Sequence, residues 1–354
     1  MSRFWSKNVH SLTPYSPGEQ PQIDKLIKLN TNENPYGPSP RVLEAINLAN
    51  ADSLRKYPDP NAGVLKQTIA DYYNLQVNQV FVANSSDEVL GHSFRAFFIQ
   101  NAPLLCPDIS YSFYPVYCQL FDISFVKIPL REDFTINIDD YSQANGGIIF
   151  ANPNAPTGIA LEVGKIEQLL QNNRDSVVII DEAYVDFCDS SAVTLINKYP
   201  NLLVTQTLSK SRSLAGLRVG LALGNAELIE GLERVTNSFH PYGLDSLALA
   251  GATAAFEDNN YFEQTRDKVI ATRQWTDAKL TALGFETLPS STNFIFAKHA
   301  TLKASDIFQA LRERNIIIRH FDAPRINEFV RISIGNDDEM VSLIEALSEI
   351  ISSV

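Results

Sequence analysis

The chain has 354 residues, 45% of them hydrophobic, and a formal net charge of -12 at pH 7. That length can bury a large core and suits two domains, or one α/β domain with a smaller appendage. A field of negative sign repels phosphates, which excludes nucleic acid and anionic membrane surfaces as partners and requires local donors for any phosphate the protein holds.

Residues 1–12 lack an apolar stretch of signal-peptide length, and no later run approaches the span of a bilayer, so a soluble, cytoplasmic protein is expected. Residues 1–36 are rich in Pro, Asn and Ser without sustained periodicity, which suits an arm or loop laid over another surface rather than a core element. Short apolar, β-branched runs at 80–83, 104–106, 148–151, 177–180, 202–207 and 219–223 then predict strands, mostly separated by segments of helical spacing such as 86–98 and 162–172. Strands alternating with helices, several of them apolar throughout, predict a mainly parallel sheet covered on both faces.

After residue 240 the pattern changes to helical stretches at 246–257, 260–282, 303–314 and 337–351, interleaved with strands at 293–297, 316–319 and 329–334. This reads as a second, smaller α+β layer. The expected division is an N-terminal arm over 1–30, a large domain over 31–245 and a small domain over 246–354. Cys106, Cys118 and Cys188 form no C-x-x-C, and the histidines at 10, 92, 240, 299 and 320 form no H-x-x-x-H or H-E-x-x-H pair. Neither a disulfide framework nor a metal is expected.

No G-x-G-x-x-G follows a predicted strand, and neither a G-x-x-x-x-G-K-[ST] loop nor a G-x-S-x-G elbow occurs. What remains is a set of polar residues just past the predicted strand ends, where open α/β sheets build their sites. Asn84-Ser85-Ser86-Asp87-Glu88 reads either as a helix cap or as a helix start whose free N–H groups receive a phosphate. The segment 152–158, Asn-Pro-Asn-Ala-Pro-Thr-Gly, is a turn on its own terms. Asp181 ends an apolar run, as an N-cap or as a functional carboxylate, with Tyr184 close behind. In 207–220, Lys210 lies among hydroxyls with Arg218 eight residues on; Ser209 and Arg218 could grip a phosphate while Lys210 supplies an amine. Together these are the groups a pyridoxal cofactor requires.

Taken together with L-T-P-Y at 12–15, L-N-T-N-E-N-P-Y-G-P at 29–38, Y-P-D at 57–59, S-D-E at 86–88, P-T-G at 156–158, D-E-A-Y at 181–184, S-K at 209–210, P-Y at 241–242 and V-R-I-S-I-G at 330–335, the chain resembles the fold-type I pyridoxal-phosphate (PLP) aminotransferases, and within them the histidinol-phosphate branch. The resemblance runs nearly end to end. It implies an aspartate-aminotransferase-like α/β fold with a mainly parallel seven-stranded sheet and a smaller α+β domain, and a homodimer with shared sites.

By the same resemblance, Lys210 is the Schiff-base lysine and proton shuttle, Asp181 the partner of the pyridine nitrogen and Tyr184 a donor to the ring hydroxyl. Ser86, Asp87, Ser209 and Arg218 would hold the cofactor phosphate, Tyr111 would stack on the ring, and Tyr57 would reach the phosphate from the partner subunit. Arg331 and Arg319 would hold the substrate's anionic end, with Tyr15 closing over it and Asn32 of the 30–38 loop beside it. The family usually carries an asparagine directly before P-T-G that bonds the ring hydroxyl; this chain has Ala155 there, and Asn154 is the expected substitute. Ser85 stands where a glycine is usual. The expected reaction is amino transfer between L-histidinol phosphate and 2-oxoglutarate. Its rivals are an aromatic aminotransferase, a PLP-dependent decarboxylase of an amino-acid phosphate, and a PLP-fold regulatory module.

Overall fold

The computed structural model describes residues 2–15, 18–22 and 24–353. In chain order the strands are β1 (Ile27–Lys28), β2 (Val80–Asn84), β3 (Leu104–Pro107), β4 (Phe125–Ile128), β5 (Gly147–Ala151), β6 (Val178–Asp181), β7 (Leu202–Thr207), β8 (Val219–Gly224), β9 (Phe285–Thr287), β10 (Phe294–His299), β11 (Ile316–Ile317), β12 (Arg319–His320) and β13 (Val330–Ser333). Strands β2 to β8 form one seven-stranded sheet in the order β2-β8-β7-β6-β5-β3-β4. β8 alone runs in the direction opposite to the other six.

Strands β5 to β8 are buried at every residue, because helices cover both faces of the sheet and alternate side chains enter different cores. Ile148, Phe150, Val178, Ile180 and Val204 face one core with Val42, Ile166, Leu169 and Ala252 of the helices Pro40–Ala49, Val163–Asn172 and Ser246–Glu257. Ile149, Ile179, Leu203 and Ala222 face the other, against Val89, Phe94 and Leu232 of Ser85–Phe97 and Ala226–Asn237. Strand β4 carries no pattern that marks it in the sequence: it is the sheet edge, and of its four residues only Ile128 is buried.

The C-terminal half builds a four-stranded antiparallel sheet, β12-β13-β10-β9, packed with the helices Asn259–Ala282, Ala304–Arg312 and Asp337–Ser352. Two sequence expectations change here. The stretch 316–319, read as one strand, is two: β11 pairs in parallel with β1, and β12 pairs with β13. Residues 27–32, read as part of a surface loop, enter this second body instead. Leu29 is 1% exposed in its core, while residues 3–11 stay exposed. Ala155 and Tyr184, from loops at the large sheet, join the same apolar cluster as Leu29, Phe294 and Ile332. The two bodies therefore meet at the C-terminal edge of the large sheet.

Candidate active site

Parallel strands β2, β5, β6 and β7 all end on that edge. Because β8 runs the other way, it begins there, and this brings Arg218 beside the residues that follow β2. The four segments singled out in the sequence are thus collected by one topological fact.

The helix Ser85–Phe97 starts at this edge, so its first N–H groups and its dipole face the junction. The Ser85 N–H donates to the Arg218 carbonyl at 2.7 Å, and Ser85 sits at φ 74°, the left-handed region that favours glycine. Strand β8 passes so close beneath this turn that a Cβ on Gly220 would lie 2.2 Å from the Ser86 nitrogen, so only glycine fits at 220. Arg218 Nη2 donates to Asp87 Oδ2 at 2.9 Å, and Tyr111 Oη donates to Asp87 Oδ1 at 3.1 Å. Both charges of this pair are about half exposed, so it adds little stability and leaves the guanidinium open to another anion. Ser209, buried, is tied to Thr207, whose hydroxyl accepts from the Ser209 N–H at 3.2 Å. Ser86 at the helix start, Arg218 beside it and Ser209 after β7 are the groups at this edge that could hold a phosphate.

Asp181, the last residue of β6, is 4% exposed; its Oδ2 accepts from Tyr114 Oη at 2.8 Å and its Oδ1 from Thr205 Oγ1 at 3.2 Å. Burial raises its carboxyl to about 6 although both hydroxyls favour the ionised form, and the charge of Asp87 pushes the same way. No cation among the described residues pairs with it. Tyr114 and Thr205 went unmarked in the sequence. Thr205 was findable, since it pairs in register with Asp181 on the adjacent strand, whereas Tyr114 reads as an ordinary core aromatic.

Lys210 Nζ donates to the Thr31 carbonyl at 3.0 Å and lies 5.9 Å from the centre of the Tyr184 ring. Asn34 Nδ2 holds the lysine loop by donating to the carbonyls of Lys210 and Ser211 at 3.1 and 3.0 Å. Arg331 and Arg319 face each other in register across β13 and β12, and neither has a carboxylate partner among the described residues. Arg331 Nη2 donates to the Asn30 carbonyl at 2.8 Å while its Nε is buried without a partner. Burial pulls this guanidinium below its usual value, and Arg319 adds to that.

Two predicted residues sit differently, Asn154 and Asn32. The Asn154 amide is already committed, donating to the Ile109 carbonyl at 3.0 Å and to Thr157 Oγ1 at 3.1 Å, while its oxygen accepts from Ser110. It has no N–H left for a ring hydroxyl, so the structure does not support it as the substitute for the asparagine missing at 155. Asn32 is 1% exposed, with both side-chain ends bonded inside the protein, which removes it from direct contact with a substrate. Tyr57 is 81% exposed and stacks on Tyr242 with ring centres 4.6 Å apart. Tyr15, 38% exposed, lies against Phe113.

Residues 24–347 match the family described as aminotransferase class I and II. The chain is 58% identical over 350 residues to histidinol-phosphate aminotransferase 1 of Pseudomonas fluorescens (99% of this chain, 100% of that one) and 56% identical over 352 residues to that of Methylococcus capsulatus (99% of each). Its fold is similar to that of Sinorhizobium meliloti histidinol-phosphate aminotransferase in complex with pyridoxal-5'-phosphate, at TM-score 0.89 and 24% identity, covering 100% of this chain and 99% of that one. It is also similar to a Thermus thermophilus aspartate aminotransferase, at TM-score 0.82 and 18% identity, covering 99% and 100%. Matched to the family over residues 24–347 and at least 56% identical to these relatives over nearly its whole length, this protein belongs to the class I and II aminotransferases, in the histidinol-phosphate aminotransferase family.

Proposed function

We propose that the protein is a PLP-dependent aminotransferase of histidine biosynthesis that exchanges an amino group between L-histidinol phosphate and 2-oxoglutarate, giving imidazole-acetol phosphate and L-glutamate. The observation that carries the cofactor assignment is Asp181, a buried carboxylate with two hydroxyl donors and no cation, which a protonated pyridine nitrogen would complete. The remaining groups fit the same molecule: Ser86, Ser209 and Arg218 for its phosphate, Tyr111 for a ring face, Tyr184 for the ring hydroxyl and Lys210 for the aldehyde carbon.

When bound, PLP supplies an electron sink that stabilises negative charge at the substrate's α-carbon. Asp181 keeps the pyridine nitrogen protonated. Lys210 Nζ acts as general base and acid, taking the proton from the α-carbon and returning one as the amino group changes sides. Arg218 and Asp87 fix the groups proposed to hold the phosphate, and burial at the junction of the two bodies keeps water from competing for the proton.

The paired guanidiniums of Arg319 and Arg331 favour a phosphorylated donor, because a dianionic phosphate engages both while an α-carboxylate needs only one. Catalytic efficiency for histidinol phosphate is therefore expected to exceed that for phenylalanine, tyrosine or histidine by orders of magnitude in an amino-donor panel with 2-oxoglutarate. Arg319→Ala narrows the gap about 10- to 100-fold by striking the phosphorylated donor hardest, at about 1.5–3 kcal/mol for a charge-assisted contact. Efficiency for phenylalanine equal to that for histidinol phosphate would instead support the aromatic aminotransferase.

Action in the cytoplasm and assembly as a homodimer belong to the same proposal. The division expected at 30/31 and 245/246 is shifted by packing: residues 27–32 join the second body, and the helix Ser246–Glu257 packs against the large sheet through Ala248, Ala252 and Phe256, so the small domain begins after it. Tyr57 is 81% exposed and stacks on Tyr242, itself 39% exposed, which leaves an aromatic pair on the surface for a second copy to cover. Mixing an inactive Lys210 variant with an impaired Tyr57 variant is expected to restore about a quarter of parental activity, since half the dimers are mixed and each carries one intact composite site. No recovery after verified subunit exchange means that each site lies within one chain.

A further inference from the structure

Around Tyr184 the hydrogen bonds run in one direction. The Asn32 N–H donates to Ser333 Oγ at 2.8 Å, so the single Ser333 proton points elsewhere, toward Asn32 Oδ1, also at 2.8 Å. With Oδ1 committed to Ser333, the carboxamide orientation is fixed and Asn32 Nδ2 donates to Tyr184 Oη at 2.8 Å. The Tyr184 oxygen is thus an acceptor on its buried side, and its own proton is left to be donated into the site.

The surroundings leave Tyr184 little other choice. Ala155 belongs to the same apolar cluster and its side chain offers no polar atom; the Asn154 amide is spent on Ile109 and Thr157, and the Asn152 amide donates to the Leu161 carbonyl. Asn32 holds the left-handed conformation at φ 57°, which asparagine tolerates better than most residues, and its carbonyl accepts from Asn293 Nδ2 at 3.0 Å. Two charged groups face the Tyr184 ring: Lys210 from the loop after β7, with its Nζ 5.9 Å from the ring centre, and Arg331 from β13. Neither takes part in the chain of bonds.

We propose that Ser333 and Asn32 are positioning residues that set the polarity of the Tyr184 hydroxyl, making it a committed donor to the ring oxygen of PLP in a chain that lacks an asparagine at 155. The inference rests on the PLP reading above. A donor to an oxygen favours that oxygen's anionic form, so the ring system of the loaded protein loses its proton at lower pH than it would without the donor. Ser333 is two residues from Arg331 on the same strand, so the device also ties the small sheet that carries the substrate arginines to the cofactor ring.

The test is a spectrophotometric pH titration of the visible band of the PLP-loaded protein. Asn32→Ala and Ser333→Ala are expected to raise the midpoint by about 0.5 to 1 unit, a part of the ~1 to 2 units that loss of a whole charge-assisted hydrogen bond brings. In a Tyr184→Phe background both shifts disappear, because the residues act through that hydroxyl. A purely structural role lowers the melting temperature and leaves the midpoint in place. Ser333→Ala, the milder change, decides the matter if Asn32→Ala does not fold. Unchanged midpoints in loaded, folded Ser333→Ala, or shifts that persist without the Tyr184 hydroxyl, would overturn the inference while leaving the aminotransferase reading intact. Failure of the parent protein to form any visible band with PLP overturns both.

Discussion

Lys210→Ala is expected to transaminate at least about 10⁴-fold more slowly than the parent, the upper range for loss of a positioned general acid–base group, with the loss of the amine as attacking group added to it. The structure gives the reason for so large an effect. The loop that carries Lys210 is held by Asn34 of the 30–38 loop, and the lysine Nζ lies within one hydrogen bond of Thr31 and near the Tyr184 ring, at the junction of the two bodies. The other amine near Thr31, Lys28 Nζ, is engaged by Thr31 Oγ1 at 2.8 Å and by Glu33. Lys210→Arg is expected to fare no better: a guanidinium keeps its proton under all working conditions and cannot act as the base. The residues proposed to hold the phosphate are untouched in either variant, so PLP is expected to dock still, without the covalent attachment. Borohydride reduction of the loaded parent followed by peptide mapping checks the assignment, with the label expected on Lys210. A label on another lysine would end the claim.

Asp181→Asn is expected to retain PLP and to lower kcat by at least about 10²- to 10³-fold, comparable to removing a preorganised charge-stabilising group in other enzymes. Asparagine keeps the shape and can still bond Tyr114 and Thr205, but it cannot hold a proton on the pyridine nitrogen. The same substitution has a signature in the cofactor-free protein. Burial raises the Asp181 carboxyl from 3.8 to about 6, so between those values the folded protein binds more protons than the unfolded one. Stability from this group is accordingly present below pH 4 and lost as pH rises through about 6, a cost of up to ~3 kcal/mol at neutral pH. Glu182, raised by burial to about 7 despite donors from Ser191, Ala192 and Gln206, acts in the same direction. Thermal unfolding of cofactor-free protein at pH 5 and pH 8 should therefore show a smaller loss in Asp181→Asn than in the parent. Near-parental turnover in that variant would remove Asp181 from its role.

Much of the large sheet was legible because its strands are buried on both faces and read as unbroken apolar runs. The run at 202–207 matches β7 end to end, and those at 80–83 and 219–223 each fall one residue short of β2 and β8. The edge strand β4 was not, since one buried residue in four leaves no periodicity to find. The strand break at 318 escaped for a different reason: Ile316, Ile317 and Ile318 are uniformly apolar and buried, and nothing local says that the chain changes partners between them.

The sequence by itself determined the residue types, their order and their place at strand ends: Ser86 and Asp87, Asp181 and Tyr184, then Ser209, Lys210 and Arg218. Those are local facts, set by where an apolar run stops and which polar residue follows it. Only the tertiary structure decided which of them have free valences. Asn154 looked available and is spent on Ile109 and Thr157, while Asn32 looked like a substrate contact and is a buried link from Ser333 to Tyr184. A hydrogen-bonding group's partners are fixed by whichever segments the fold brings against it. For Asn32 those partners lie 152 and 301 positions away along the chain, a distance over which no spacing or periodicity carries information.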